Sequence, residues 1–238
     1  MRIVPLHVGD ILRDKSSFTC LRNQGLKVEL PVICWLIETN EAKVIVDTGT
    51  NAPHETAEHH KPLTRTREQE PAFLMDSLGV NVADIDLVIL THLHWDHCYN
   101  NHLFPNAEFL VQREELRYAI APLPLHAHAY DLPPIVGTKY KVIDGDKKLG
   151  NGISVVCTPG HTPGFQSVLV ESPNKRILIA SDTIPLFENW CQDPPLPSGV
   201  FNNLEKYYST FDKISRLETD LVLPGHDRKV FDQPEYVL

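Results

Sequence analysis

The chain has 238 residues, of which 42% are hydrophobic and 22% charged, and its formal net charge at pH 7 is −9. This length fits one large domain or two small ones, and the composition is ordinary for a globular protein. With 31 acidic against 22 basic residues and no Lys/Arg cluster, the chain lacks the basic face that nucleic-acid binding needs.

Targeting signals and disulfides are not expected either. No run of 18 or more apolar residues is present, so no membrane span is predicted, and the start does not have the pattern of a signal peptide. The five cysteines are odd in number and scattered, without a Cys-x-x-Cys motif: Cys20, Cys34, Cys98, Cys157 and Cys191. A reducing, cytoplasmic location is therefore the expectation.

In the first half of the chain, short apolar runs predict strands and two helices. Strands are predicted at 2–8, 28–37, 43–49, 85–90 and 107–111. Helices are predicted at 68–78, with Gly79 as its C-cap, and at 113–121. Residues 50–70 are polar with little periodicity, which is typical of a long loop or lid.

The second half has the same alternation. Residues 121–138 are Pro-rich and are predicted to be irregular, and 184–200 are predicted to loop over the functional site. Strands are predicted at 139–143 and 153–157 around an Asp144-Gly turn, then a hairpin of 167–171 with 176–180, a helix at 203–217 and a strand at 221–223. Many short strands with a few helices and no linker indicate one α/β domain spanning residues 1–238, with helices covering sheets.

One stretch, Thr91-His-Leu-His-Trp-Asp-His97, is far richer in metal-ligating side chains than the rest. It follows an apolar strand and holds His92, His94, Asp96 and His97 within six residues. On an extended backbone His92 and His94 point the same way, and the last two can aim at a second point. One loop could therefore supply two metal ions. The alternative, a polar helix start with solvated histidines, does not account for so dense a cluster.

Three more candidates follow apolar strands later in the chain. His161 and His226 each end a Pro-Gly-His turn, and Asp182 follows the run that ends at Ala180. Ligands from four strand ends can converge at one sheet edge, and five histidines with two aspartates suffice for two ions bridged by one carboxylate. Taken singly, each Pro-Gly-His could be a plain turn with a hydrogen-bonded imidazole, and Asp182 could cap the segment that follows it.

Other polar residues are assigned supporting or surface roles. Asp47, in Asp47-Thr-Gly49 at a strand end, is expected to orient a ligand rather than to bind metal. Cys98 is expected to be a small buried neighbour. The remaining histidines considered are read as surface or loop residues: His54, His59, His60, His102, His126 and His128. Seven N/O ligands without a thiolate suit zinc, iron, cobalt or manganese, and two zinc ions are the default.

These motifs resemble the metallo-β-lactamase superfamily, whose members are αββα sandwiches with one or two metal ions at the sheet edge. Within it, the chain is most similar to the N-acyl-homoserine lactonase group. The matching stretches are Leu30–Glu38, Val46–Gly49, Val111–Arg113, Tyr140–Asp146, Thr158–Gly164 with Gln166-Ser167, Gly225–Asp227 and Pro234–Tyr236. The resemblance implies two mixed sheets flanked by helices.

The resemblance also implies a division of labour in the site. One metal would be held by His92, His94 and His161, the other by Asp96, His97 and His226, with Asp182 bridging. A hydroxide shared by the ions would attack a lactone carbonyl, and Asp96 would protonate the leaving alkoxide. The implied activity is a dinuclear lactonase that opens N-acyl-homoserine lactone-like or other small lactones, a quorum-quenching reaction.

Two positions depart from that group. Pro185 stands where those lactonases have a substrate-binding tyrosine, and Phe165 stands where the type lactonase has histidine. The oxyanion contact, worth about 10²–10³ in rate, would have to come from the metal or from another side chain. The candidates considered are Tyr99, His126, His128 and Trp190.

Two other functions stay open at this point. One is a thioesterase or carboxylic ester hydrolase of the same superfamily, with chemistry like that of glyoxalase II. The other is a non-catalytic metal-binding module. A small-molecule substrate is expected in the catalytic cases, and segments 30–36 and 50–70 could support a homodimer contact.

Overall fold

The computed structural model describes residues 1–238. Eight strands form the first sheet: β1 (Arg2–Asp14), β2 (Lys27–Glu38), β3 (Lys43–Val46), β4 (Leu63–Thr64), β5 (Leu87–Ile89), β6 (Glu108–Gln112), β7 (Tyr140–Ile143) and β13 (Tyr236–Val237). Their order is β13-β1-β2-β3-β5-β6-β7, with β4 paired to β1. Strands β3, β5, β6 and β7 are parallel to one another, whereas β1 and β2 pair antiparallel, so this sheet is mixed.

The second sheet is built from five later strands: β8 (Lys147–Gly150), β9 (Ile153–Cys157), β10 (Gln166–Ser172), β11 (Lys175–Ser181) and β12 (Leu221–Pro224). Their order is β12-β11-β10-β9-β8. Strands β9, β10 and β11 pair antiparallel in succession and β12 joins β11 in parallel. The carboxyl ends of β9, β11 and β12 therefore lie at one edge of this sheet.

Five α-helices complete the chain: α1 (Pro71–Ser77), α2 (Arg113–Ile120), α3 (Leu132–Gly137), α4 (Phe187–Trp190) and α5 (Leu204–Ser215). Single 3-10 turns occupy Lys15–Ser17, Glu58–His60, Arg67–Gln69, Val82–Asp84, Asn101–Leu103, Ala127–Ala129 and Arg228–Asp232. None of the helices has the length and hydropathy that crossing a membrane requires.

The apolar strands have no polar face because both faces of each sheet are covered. In β3, Val44 and Val46 lie in the core between the sheets, while Ile45 faces the helices on the outside of the first sheet. In β11, Ile177 lies between the sheets and Leu178 packs with α5. The order of layers is thus helix, sheet, sheet, helix, which confirms the predicted αββα sandwich.

Several predicted elements need correction. Residues 139–143 and 153–157 do not pair around Asp144: β7 joins the first sheet beside β6, while β9 pairs with β8, a strand that the prediction omitted. The Pro-rich segment 121–138 contains α3, in which Pro133 and Pro134 occupy the first turn, where a missing N–H costs nothing. The hairpin of β10 with β11 and the C-terminal helix are confirmed.

Candidate metal centre

The predicted ligands lie on loops that leave the carboxyl ends of strands. The histidine stretch follows β5, His161 follows β9, Asp182 follows β11 and His226 follows β12. Two residues at strand ends adopt the left-handed backbone region, Asp47 with φ of 61° and Ser181 with φ of 48°. Such values are uncommon outside glycine and are found in sharp turns, which here direct the following side chains inward.

The structure brings all seven predicted residues together, and all are buried. Their ligand atoms form three groups within which all atoms lie within 4.8 Å of one another: His92 with His94 and His161, His92 with His97 and Asp182, and Asp96 with His97 and His226. The first and third groups are the two triads that the family resemblance implies. Two metal-sized centres therefore lie side by side.

Asp182 lies between the two triads. Its Oδ1 is 3.1 Å from Nε2 of His226 and 3.4 Å from Nε2 of His97, and its Oδ2 is 3.5 Å from Nε2 of His161. One carboxylate oxygen thus faces each triad. This is the position that a bridging ligand needs.

Several buried polar atoms of the cluster have no hydrogen-bond partner. These are Nε2 of His92, His97 and His226 and Oδ1 of Asp182. Unpaired buried polar atoms are costly and rare in folded proteins. A set of four that converges on one space, composed of imidazole nitrogen and carboxylate oxygen, fits divalent cations.

Partners on the far side of each ring fix the tautomers. The Nδ1–H groups of His97, His161 and His226 donate to Oδ2 of Asp47 (2.8 Å), the carbonyl of Val200 (2.7 Å) and the carbonyl of Pro31 (2.8 Å). His92 Nδ1 lies 3.0 Å from the Thr91 hydroxyl. With Nδ1 engaged in this way, each of these rings turns its Nε2 toward the centre of the cluster, as metal ligation requires. Although burial acts in the opposite direction, Asp182 raises the pKa of His97 and of His226, so a metal ion that binds there displaces a proton. His94 differs, because its Nδ1 faces His161 Nε2 at 3.1 Å.

The electrostatics of the cluster favour ligand-competent protonation states in the first triad. Burial lowers the pKa of His92, His94 and His161, and neighbouring imidazoles lower those of His92 and His94 further, so these rings are neutral at pH 7. Burial alone would raise the pKa of Asp182, but His226 and His97 outweigh it and lower that pKa well below its usual value. Neutral imidazole beside an ionised carboxylate is the form that binds divalent cations.

Asp47 supports the site from behind, as the sequence predicts. Its carboxylate accepts from the Thr91 N–H (2.7 Å), the Thr91 hydroxyl (2.7 Å) and His97 Nδ1–H. It thereby ties the end of β3 to the histidine loop and holds one ligand ring in its tautomer.

We expect Asp47→Asn to weaken metal binding by about 10- to 100-fold, the usual effect of removing such an outer partner. Asn tolerates the positive φ at this position, so the turn should persist. Competition with a chromogenic chelator measures the affinity. Asp76→Asn, at an exposed position on α1, is the matched control. An unchanged metal affinity in Asp47→Asn would show that Asp47 does not support metal binding.

Two supporting residues were not predicted. Glu115 is fully buried in the first turn of α2 and accepts from the N–H groups of Leu93 and Gly164 and from the Thr162 hydroxyl. Burial raises the pKa of Glu115 to about 7, although these donors act in the opposite direction. The sequence marks Glu115 only by its position, four residues before Ala119 and therefore on the helix face that packs inward.

Tyr207 is the second of these. Its hydroxyl lies 2.8 Å from the Asp182 carbonyl and 3.0 Å from that of Thr183, and its ring packs against Gly160 in the first Pro-Gly-His turn. A Cβ at Gly160 would meet Tyr207 at 2.6 Å. The sequence shows Tyr207 only as part of the apolar face of α5 with Phe211 and Ile214, so its hydroxyl contact could not be anticipated.

Gly225, in the second Pro-Gly-His turn, has to be glycine because its backbone lies very close to Asp182. A side chain there would collide with Oδ1 of Asp182. The Pro-Gly sequence therefore lets the His226 loop lie directly against the central carboxylate. The His226 N–H also donates to the carbonyl of Pro185 (2.8 Å), which gives this proline a structural contact.

A pocket of about 250 Å³ opens above the cluster. Its floor contains Asp96, Asp182 and three of the histidines, and its wall contains residues of segments 11–18, 59–60, 95, 128–129 and 198–200. Predicted loops 50–70 and 184–200 therefore both reach the site. Of the four candidates for the missing tyrosine's role, His128 lines this pocket, whereas Tyr99 and Trp190 do not. His126 borders a small adjoining cavity beside His94 and His161.

His60 lies on a single turn within segment 50–70, but the expectation that it lies at the surface is wrong. Its side chain is 4% exposed and stacks on Trp95, with ring centroids 4.2 Å apart and planes at 14°. Burial lowers the pKa of His60 to about 4, so the ring is neutral in the pocket at pH 7. Cys98, as predicted, is a buried neighbour and belongs to none of the three ligand groups.

Comparison with known sequence families agrees with this geometry. The profile of the metallo-beta-lactamase superfamily matches residues 28–226, which include every residue of the cluster. The chain belongs to the metallo-beta-lactamase superfamily and is a metal-dependent hydrolase.

Among curated relatives, an N-acyl homoserine lactonase from a Bacillus species is 30% identical over 249 residues, covering 96% of each chain. The N-acyl homoserine lactonase of Bacillus cereus is 30% identical over 252 residues with the same coverage. A solved structure of an N-acyl homoserine lactone hydrolase, with the product N-hexanoyl-L-homoserine bound at its catalytic metal centre, superposes with a TM-score of 0.83. It is 26% identical and the match covers 97% of this chain and 95% of that one.

Proposed function

We propose that this protein is a dinuclear lactonase that hydrolyses small lactones, among them N-acyl-homoserine lactones. The observation that carries the proposal is the pair of ligand triads with Asp182 between them, open to a pocket of substrate size. Lactonases that match the chain over nearly its whole length support the same reaction. The proposed ligands are His92, His94 and His161 for one ion and Asp96, His97 and His226 for the other.

Divalent cations bound there, zinc by default, would supply a deprotonated water at neutral pH and polarise the substrate carbonyl. The protein's own part is to orient and to move protons. Asp47, Val200 and Pro31 hold three ligand rings in one tautomer. Asp96, which lines the pocket, would take the proton that the attacking water loses and pass it to the alkoxide as the ring opens, giving a hydroxy acid.

Because Pro185 stands where the related lactonases have a substrate-binding tyrosine, we assign the hydrogen bond to the substrate to another residue on the pocket wall. His128 is the one candidate among the four considered that lines the pocket with the cluster. We assign it to the substrate carbonyl or amide, where a neutral or charged imidazole can donate a hydrogen bond.

A substrate panel on metal-reconstituted protein tests the proposal. Proton release with N-acyl-homoserine lactones and simple γ-lactones is the expected result, with product mass increased by one water. Matched thioesters and alkyl esters form the comparison series. Turnover of thioesters without any turnover of lactones would assign the protein to the thioesterases, and inertness toward all three would favour a non-catalytic metal-binding module.

A further inference from the structure

One cation on the pocket wall has no charged partner. Arg13 follows the buried Ile11 on β1 and lines the pocket above the metal-ligand cluster. Its guanidinium donates from Nη1 to the carbonyls of Leu12 (2.8 Å) and Pro62 (3.4 Å) and from Nη2 to the carbonyl of His60. It forms no ion pair, although the charge of Asp96 acts on it and opposes the lowering of its pKa by burial.

These contacts fix the guanidinium and leave part of it free. A guanidinium has five N–H donors, and the three bonds to carbonyl groups leave the Nε–H and one Nη2–H of Arg13 without an acceptor in the protein. The guanidinium carbon Cζ of Arg13 lies 5.8 Å from the centre of the Trp95 ring, and this contact further restricts the position of the guanidinium. A half-buried, positioned cation with two free donors is suited to a planar anion such as a carboxylate.

The charge of Arg13 is not cancelled when the site is loaded. Two divalent cations would balance the carboxylates of Asp47, Asp96 and Asp182 together with one deprotonated water, so the positive charge of Arg13 would stay uncompensated in the pocket of a chain whose net charge is −9. The rest of the wall is mixed: the imidazoles of His59, His60 and His128 and the hydroxyls of Ser17 and Ser198 lie beside five apolar residues, Ile11, Phe18, Trp95, Ala129 and Val200. Such a wall can hold the apolar body of a small lactone and leaves Arg13 as its one permanent cation.

We propose that Arg13 determines substrate specificity by binding a carboxylate that the substrate carries at the end remote from the hydrolysed carbonyl. The inference rests on the proposed lactonase function and specifies its substrate class: a small lactone with an anionic substituent. The pocket volume of about 250 Å³ fits a molecule of that size.

The test compares a γ-lactone that bears a ring carboxylate with its neutral methylamide. In wild-type enzyme the ratio of kcat/KM for the carboxylate over the amide should exceed one, through a lower KM. Arg13→Gln should lower this ratio by about 10- to 100-fold, because hydrogen bonds to charged groups are the strong ones. Arg13→Lys should give an intermediate ratio, since lysine keeps the positive charge but lacks the planar pair of N–H donors that matches a carboxylate. Arg216→Gln, an exposed arginine at the end of α5, should leave the ratio unchanged.

Each contrary result has a distinct meaning. An equal fall for both substrates in Arg13→Gln, with the ratio unchanged, would overturn the inference and give Arg13 a structural role through its bonds to carbonyl groups. A preference of wild-type enzyme for a phosphonate over the carboxylate would overturn the carboxylate assignment. If lactones are not turned over but thioesters are, the proposed function fails and the same charged and neutral pair, made as thioesters, still tests Arg13. If nothing is turned over, calorimetric affinities for the two lactones give the ratio.

Discussion

Replacing Asp182 by alanine should remove most of the bound metal and reduce kcat/KM for lactones by at least about 10³-fold, since a metal site contributes several kcal/mol and each 1.36 kcal/mol is tenfold in rate. The carboxylate oxygens of Asp182 face both triads, at 3.1–3.5 Å from three histidine nitrogens. Its removal leaves these imidazoles without the anion between them. The affinity of both triads for a metal ion should therefore fall together.

Elemental analysis of reconstituted Asp182→Ala protein, measured beside its lactonase activity, checks this result. Asp212→Ala removes an exposed carboxylate on α5 and should keep the wild-type metal content and rate. Two full equivalents retained by Asp182→Ala would refute the bridging role.

The second large effect is expected at Asp96. Asp96→Asn should lower kcat for alkyl lactones by about 10²- to 10⁴-fold, the range for loss of a general acid. The amide can neither donate the proton that the leaving alkoxide needs nor ligate as strongly as the carboxylate. Esters with a nitrophenolate leaving group need no such proton, and for them the loss should be much smaller.

The ratio of these two losses separates the roles of Asp96. Both rates are measured on one preparation with its metal content determined, and Asp84→Asn on a partly exposed turn serves as the control. Equal losses for lactone and nitrophenyl ester would limit Asp96 to metal binding and exclude the proton-donor role.

The fold was predictable from sequence where burial on both faces gave unbroken apolar strands. Strands β2, β3, β10 and β11 follow that rule. Partner choice was not predictable for residues 139–157, because the Asp144-Gly and Asn151-Gly turns are both plausible hairpin turns and only packing decides between them. The chain crosses from one sheet to the other at the first and forms its hairpin at the second.

The ligand cluster was predictable because its residues occur in a repeated local context, an apolar strand that ends in a polar turn. The residues of the pocket wall were not predictable in this way. Arg13 follows buried residues on β1, and His60 lies in a polar segment without periodicity, so neither carries a sequence signal of its position. Both reach the pocket through long-range contacts, among them the pairing of β4 with β1 and the bond from Arg13 to the His60 carbonyl.

Titration of metal-free protein with zinc, followed by both calorimetry and lactone hydrolysis, tests the central claim most directly. The two triads bridged by Asp182 predict two equivalents per chain, with hydrolysis reaching its plateau at the second. Saturation at one equivalent with full activity, or hydrolysis that is independent of metal, would contradict a dinuclear centre.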